Sequence, residues 1–235
     1  MNPAPLATTE PPLRRLVLAL TRRELPATIV DVLLRALAPH AALELRAVFI
    51  EDLDLLNAVA LPFTSEWCRL TNALRPIDRA HLEAHFARES AAAAAGVAAL
   101  SHELGRTWQF EVLRASKAGA LRATLAESDA LLLPGKRLAA APTRAPVLAV
   151  VEGGDGARCR ALAEQLARAT ARPLEVLVVE NDAALDRAAG RHAITRQLAR
   201  ADVALVLLSA PLLALLGQDA DELDERCPAP LLLVR

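Results

Sequence analysis

One arrangement of residues occurs twice in this chain. Residues 13–20 (LRRLVLAL), 25–38 and 42–50 (ALELRAVFI) read as strand, amphipathic helix, strand, and so do 146–151 (PVLAVV), 156–170 and 173–179 (PLEVLVV). Each copy later reaches an apolar run led by an aspartate, Asp129 to Gly135 in the first and Asp202 to Ser209 in the second. Near-continuous apolar strands alternating with helices imply parallel sheets covered on both faces, joined by right-handed crossovers.

The composition agrees. Ala and Leu dominate the apolar residues while aromatics make up 3%, which suits helices packed on sheets better than an all-β sandwich. A formal net charge of −1 gives no global electrostatic reason to bind nucleic acid or an anionic membrane. The basic residues are nearly all Arg, with Lys117 and Lys136 the two lysines, a bias we read as genomic. Cys68, Cys159 and Cys227 are odd in number and widely spaced, which argues against a disulfide framework or a zinc site and suits a reducing cytosol. Residues 1–12 are rich in Pro and Thr without the pattern of a signal peptide, and we expect a flexible tail. Val203 to Leu216 is too short to span a bilayer.

Strands are expected at about 14–20, 44–50, 108–113, 129–133, 146–151, 174–179, 203–208 and 230–234. A long helix over 77–104 carries Leu82, Phe86, Ala93, Val97, Leu100 and Leu104 on one face, with Gly105 as its C-cap. Shorter helices are expected at 118–127 and about 183–199. Phe63, Trp67, Leu70 and Leu74 recur at helical spacing, so residues 51–76 are expected to cap the core, the alternatives being a ligand lid or a partner surface. The second copy has room for one strand and one helix fewer than the first, and nothing between Gly135 and Ala145 can serve as a fifth strand there.

These phrases in this order resemble the universal stress protein family in a tandem form with a degenerate second copy. The carriers are the two openings, Phe49 to Leu56 with Ala60-Leu61-Pro62 after it, the Asp129 and Asp202 runs, and the ending Cys227-Pro228 to Leu233-Val234-Arg235. The resemblance implies an α/β fold, Rossmann-like and similar to the adenine-nucleotide alpha hydrolases, with parallel sheets flanked by helices in two tandem copies. It places a first domain at 13–140 and a shortened second domain at 145–235. It further implies a bacterial, cytoplasmic stress-response protein, an internal pseudo-dimer able to form a homodimer.

Members that bind ATP carry an acid after the first strand and a glycine-rich loop after the fourth. Here Thr21, Arg22 and Arg23 follow strand one, and Pro134, Gly135, Lys136 and Arg137 follow the first Asp run without further glycines. In the second copy Glu152 stands where the acid belongs, followed by Gly153, Gly154, Asp155 and Gly156. Ser209, Ala210 and Pro211 stand where the loop belongs.

Candidate nucleotide or anion contacts are therefore Thr21, Arg22, Gly135, Lys136, Arg137, Glu152, Gly153, Gly154, Gly156 and Ser209. Cations beyond strand ends attract phosphate, and glycines let backbone N–H groups approach it. The competing readings are a solvated basic loop and a tight strand-to-helix turn with Asp155 as N-cap. His81, His85 and Glu89 share a helix face, but no further ligand accompanies them, and no metal is expected. No nucleophile–base pair stands out, so no enzyme activity is expected. With the phosphate-loop glycines missing twice, no cofactor is expected, and ATP or AMP is the alternative. The expected role is an interaction scaffold for a protein partner, without nucleic acid or membrane. The alternative is a sensor of a nucleotide or other anion at the strand C-terminal ends.

Overall fold

The computed structural model describes residues 13–21, 30–34, 43–62, 64–68, 72–135, 144–153, 156–179, 187–216 and 223–235. Strand β1 (Arg15–Leu20) leads, by way of a helical turn at 30–34, to β2 (Glu44–Asp52) and helix α1 (Leu53–Val59). A hairpin follows, β3 (Ser65–Cys68) with β4 (Ala73–Pro76), and then the long α2 (Arg79–Leu104). Next come β5 (Trp108–Ala115), α3 (Lys117–Glu127) and β6 (Ala130–Leu133). The second series runs β7 (Val147–Glu152), α4 (Ala157–Ala169), β8 (Leu174–Val179), α5 (Arg187–Leu198) and β9 (Leu205–Ser209). A 3-10 turn (Ala210–Leu212), α6 (Leu213–Leu216), α7 (Leu223–Arg226) and β10 (Leu231–Val234) close it.

Eight of these strands form one sheet in the order β5-β2-β1-β6-β10-β9-β7-β8. Within the first four, and within the last four, every neighbouring pair is parallel. The two sheets expected from sequence are joined by one antiparallel pairing, β6 with β10, which sets Leu133 opposite Leu231 and Ala130 opposite Val234. Parallel strands alone therefore do not describe the fold: the seam is antiparallel, and so is the hairpin outside the main sheet.

The central strands are buried along their whole length because helices cover both faces. One core unites Leu16, Leu18, Phe49 and Leu132 with Ala149, Leu166 and Leu232 under α2 and α4. The other unites Val17, Ile50, Leu131 and Leu233 with Leu121, Ile194, Leu198 and Leu212 under α3, α5 and the 3-10 turn. Both cores cross the seam without interruption. Burial of a Leu side chain contributes roughly 1.5–3 kcal/mol, so the β6–β10 pairing rests on hydrophobic contact as much as on its ladder.

The helix ends follow from the residues that cap them. The Asp78 side chain accepts the N–H of His81 at 2.6 Å at the start of α2, and Gly105 ends that helix at φ 59. Asp52 caps α1 by accepting the N–H groups of Asp54 and Leu55, and Ser116 caps α3 through the N–H of Gly119.

The core cap expected over 51–76 is corrected. A short helix occupies 53–59, and beyond it Trp67 and Leu74 lie opposite each other in the hairpin, both exposed. Phe63 and Leu70 fall outside the described residues.

Candidate functional site

In α/β sheets ligands bind beyond the C-terminal ends of the strands. Because β6 and β10 are antiparallel, those ends fall on opposite sides for the two strand groups. Thr21 and Gly135 stand on one side, whereas Glu152, Gly153, Gly156 and Ser209 stand on the other. Thr21 and Gly135 therefore share no strand end with Glu152, Gly153, Gly156 and Ser209. Arg22, Lys136, Arg137 and Gly154 lie outside the described residues.

On the first side Thr21 is half-buried just past β1. Gly135 follows Pro134 after β6, where the ladder with β10 runs out. A Cβ on Gly135 would stand 2.2 Å from the carbonyl carbon of Ala229, 2.3 Å from its oxygen and 2.5 Å from the oxygen of Pro228. The glycine thus admits the incoming backbone of the Cys227-Pro228-Ala229 segment.

On the second side the Gly153 N–H donates to the Val179 carbonyl at 3.2 Å, extending the β7–β8 ladder. That donor is spent. Gly156 is the N-cap of α4 and makes no side-chain capping bond, while Asp155 lies outside the described residues. A Cβ there would meet the Val151 side chain at 2.5 Å and the Glu152 carbonyl at 2.8 Å, so this glycine lets the helix approach its strand. Glu152 ends β7 half-buried, opposite Val179. Ser209 ends β9, buried and opposite Val234. After Ser209 the chain enters the 3-10 turn and buries Leu212 completely, where a glycine loop would have left open space.

The side chains that do converge here belong to the seam. Asp129, just ahead of β6, accepts the N–H groups of Arg14 at 2.7 Å and Arg15 at 3.0 Å. Arg158, in the first turn of α4, reaches across to Asp129 at 3.4 Å and donates to the Arg235 carbonyl at 2.9 Å. Arg235 donates in turn to the Ala126 carbonyl through its guanidinium, and its N–H bonds the Asp129 carbonyl at 2.9 Å. Burial pushes the Asp129 carboxyl up. The two backbone N–H groups and the Arg158 guanidinium outweigh it and hold the carboxyl below its ordinary range. Sequence reasoning noted Asp129 as the head of a run but not as a receiver. Arg158 and Arg235 carried no signal, because their partners are distant in sequence.

A cleft of about 190 Å³ opens beside the starts of β1 and β2, lined by Arg15, Leu16, Val17, Glu44, Arg46 and Glu127. Its charges are mutually satisfied: Arg15 pairs with Glu44 at 3.0 Å, and Arg46 with Glu111 at 2.5 Å and Glu127 at 3.4 Å. The hydrogen bond that Arg46 donates to Glu111 raises its guanidinium above its ordinary value, against a smaller effect of burial. Among the described residues no three His, Cys, Asp or Glu side chains converge as metal ligands would. His81 and His85 are exposed on α2, and the His85 ring lies 6.2 Å from that of Phe86. No described helix is long and apolar enough to cross a membrane.

No family model and no curated protein matches the sequence. Among solved structures, the chain is similar to a universal stress protein from Archaeoglobus fulgidus DSM 4304, at 9% identity and a TM-score of 0.47. That match covers 93% of this chain and 96% of the other. A likeness at this level assigns no residue a role.

Proposed function

We propose that this protein is a non-catalytic interaction scaffold of the universal stress protein type, one that does not use ATP. The observation that carries this reading is the filling of the strand ends by the chain's own atoms. Ala229 occupies the approach to Gly135, and Leu212 is buried where the second loop would open. Triphosphate binding needs several backbone N–H groups converging on crowded oxygens, which glycine-rich loops provide. Here the Gly153 N–H already serves a ladder, and the Arg158 charge is engaged by Asp129. The sequence resemblance supports a regulatory role in stress, and the fused sheet supports an internal pseudo-dimer.

Calorimetric titration with Mg-ATP tests the reading, with native mass spectrometry of the freshly purified protein beside it. The expected affinity for Mg-ATP is weaker than about 100 μM, roughly −5.5 kcal/mol. A low-micromolar, one-to-one isotherm abolished by Lys136→Ala would instead establish the anion sensor.

A further inference from the structure

The two strand groups differ at one edge. β2 and β8 each follow the opening strand of their series and pair with it in parallel over six residues. The far side of β2 is covered by β5, from Leu45 opposite Trp108 to Asp52 opposite Ala115. The far side of β8 is the end of the sheet, and among the described residues no strand lies beyond it. The strand that the second series lacks is therefore the counterpart of β5.

Alternate residues of a parallel strand direct their N–H and C=O groups to the same neighbour. The carbonyls of Pro173 and Val179 accept the N–H groups of Val147 and Gly153, at 2.9 and 3.2 Å, so the odd-numbered residues of β8 face β7. Leu174, Val176 and Val178 turn their main-chain groups outward. The composition of β8 is that of an inner strand, five apolar residues and Glu175, which Arg200 engages. Yet Val178 is 49% exposed and Val179 alone is buried, whereas Ala47 to Ile50 of β2 are buried without a break. Natural edge strands are blunted by charge, proline or bulges. The opposite edge, β5, carries Glu111 and Arg114. β8 has unbroken register, no proline within it and its one charge engaged.

We propose that the outer edge of β8 takes up an extended segment of a protein partner, which adds to the sheet as β5 adds to β2. The inference rests on the scaffold reading and names its docking surface. The chemistry of the edge defines the occupant. Outward N–H and C=O groups are met by main chain in the extended conformation, and side chains on the two faces set the sequence preference. The half-buried apolar side chains of β8 call for apolar residues on the added strand. β5 is the internal precedent: on β2 its Trp108 and Phe110 join one core and its Leu113 the other.

The probe is a fluorescein-labelled peptide with the sequence of β5, residues 108–115, titrated with the full chain and followed by anisotropy. Saturable one-to-one binding is expected at a Kd of about 100 μM or tighter. Val178→Pro removes an outward donor and sets a ring in the path of the added strand, while the bonds to β7 stay intact. Val178→Lys places a charge on the edge at a site already half exposed. Each is expected to weaken binding by at least ~10-fold, since main-chain bonds supply most of the affinity in this mode. Amide exchange on the wild-type chain needs no variant. The amides of Leu174, Val176 and Val178 should exchange fast in the free chain and slowly with saturating peptide. No saturation by ~1 mM peptide-binding chain, or binding that both variants leave intact, would overturn the proposal. So would slow exchange of those three amides without peptide, whether at all concentrations, meaning that the chain covers its own edge, or only at high ones, meaning that a second copy does. The Mg-ATP titration is read separately: a tight isotherm would overturn the scaffold reading, whereas loss of strand binding alone would overturn only this surface.

Discussion

The guanidinium of Arg158 stands 3.4 Å from the carboxylate of Asp129, although the two residues belong to different strand groups. Arg158 projects from the first turn of α4, a position whose N–H groups and basic side chain favour an anion. The anion it meets is a side chain of the same molecule. Asp129 also receives the N–H groups of Arg14 and Arg15 at the start of β1, so one carboxylate links β1, β6 and α4 across the seam.

Replacing that carboxylate should loosen the seam. Asp129→Ala leaves two backbone N–H groups unmet and a partly buried guanidinium without its counter-charge, a loss of about 2–4 kcal/mol. Urea denaturation at neutral pH would measure it. The pH dependence has a definite sign. The folded-state pKa is lowered, so the contribution is complete above the unfolded value of 3.8 and is lost as pH falls through the lower folded value. Below about pH 4 the midpoints of wild type and Asp129→Asn should converge. A constant gap down to pH 2 would show that the charge of Asp129 does not matter.

The alternation of strand and helix was legible because the inner strands of the main sheet are apolar runs, while the edge strand β5 alternates apolar and polar residues. What joined the two groups was not. Leu231 to Val234 read as a strand, but nothing in those four residues says that Leu231 faces Leu133 on an antiparallel neighbour. Trp67 and Leu74 misled for a physical reason. Seven residues span two helical turns, and they equally span a hairpin whose loop places the pair opposite. Asn72, a residue tolerant of the left-handed region, was the available sign of a turn. Gly135 looked like a phosphate donor because its neighbour Ala229 lies far away in sequence.

Gly135 therefore distinguishes a packing glycine from a flexible one. A methyl group at 135 meets main-chain atoms, which cannot rotate aside, and Gly135→Ala is expected to cost at least ~2 kcal/mol. Gly105 is the counterpart: nothing lies within 4 Å of its missing Cβ, but its φ of 59 is left-handed. Gly105→Ala should cost only about 1 kcal/mol, the strain of that conformation. Thermal melts of both variants would check the order, and a Gly135→Ala chain as stable as wild type would refute the close approach.

Leu132 and Leu232 are direct partners across the seam and both are buried in the core shared by the two groups. Leu132→Ala is expected to destabilise by about 2–5 kcal/mol, the range for a cavity in a tightly packed interior. If the strand groups fold as one unit, chemical denaturation of this variant stays a single transition with an unchanged m-value. Two separated transitions would mean that each group folds by itself and that the seam is a docking contact.

The last expectation concerns Cys159, which packs on the inner face of α4 with almost no exposure. Burial pushes its thiol up to about 12, because a thiolate there would lose its hydration without gaining a counter-charge. Thiolate is the reactive form, so at pH 8 native Cys159 should resist iodoacetamide and react only as the chain unfolds. The linkage follows from the same shift. Between the unfolded value of 9.0 and the folded value of about 12 the unfolded chain loses its proton while the native one keeps it. Stability from this group is therefore complete below pH 9 and falls as pH rises. Mass spectrometry after a brief alkylation at pH 8, with and without urea, locates the label. Rapid modification of Cys159 in the native protein would mean that α4 lifts from the sheet readily, against the continuous core described here.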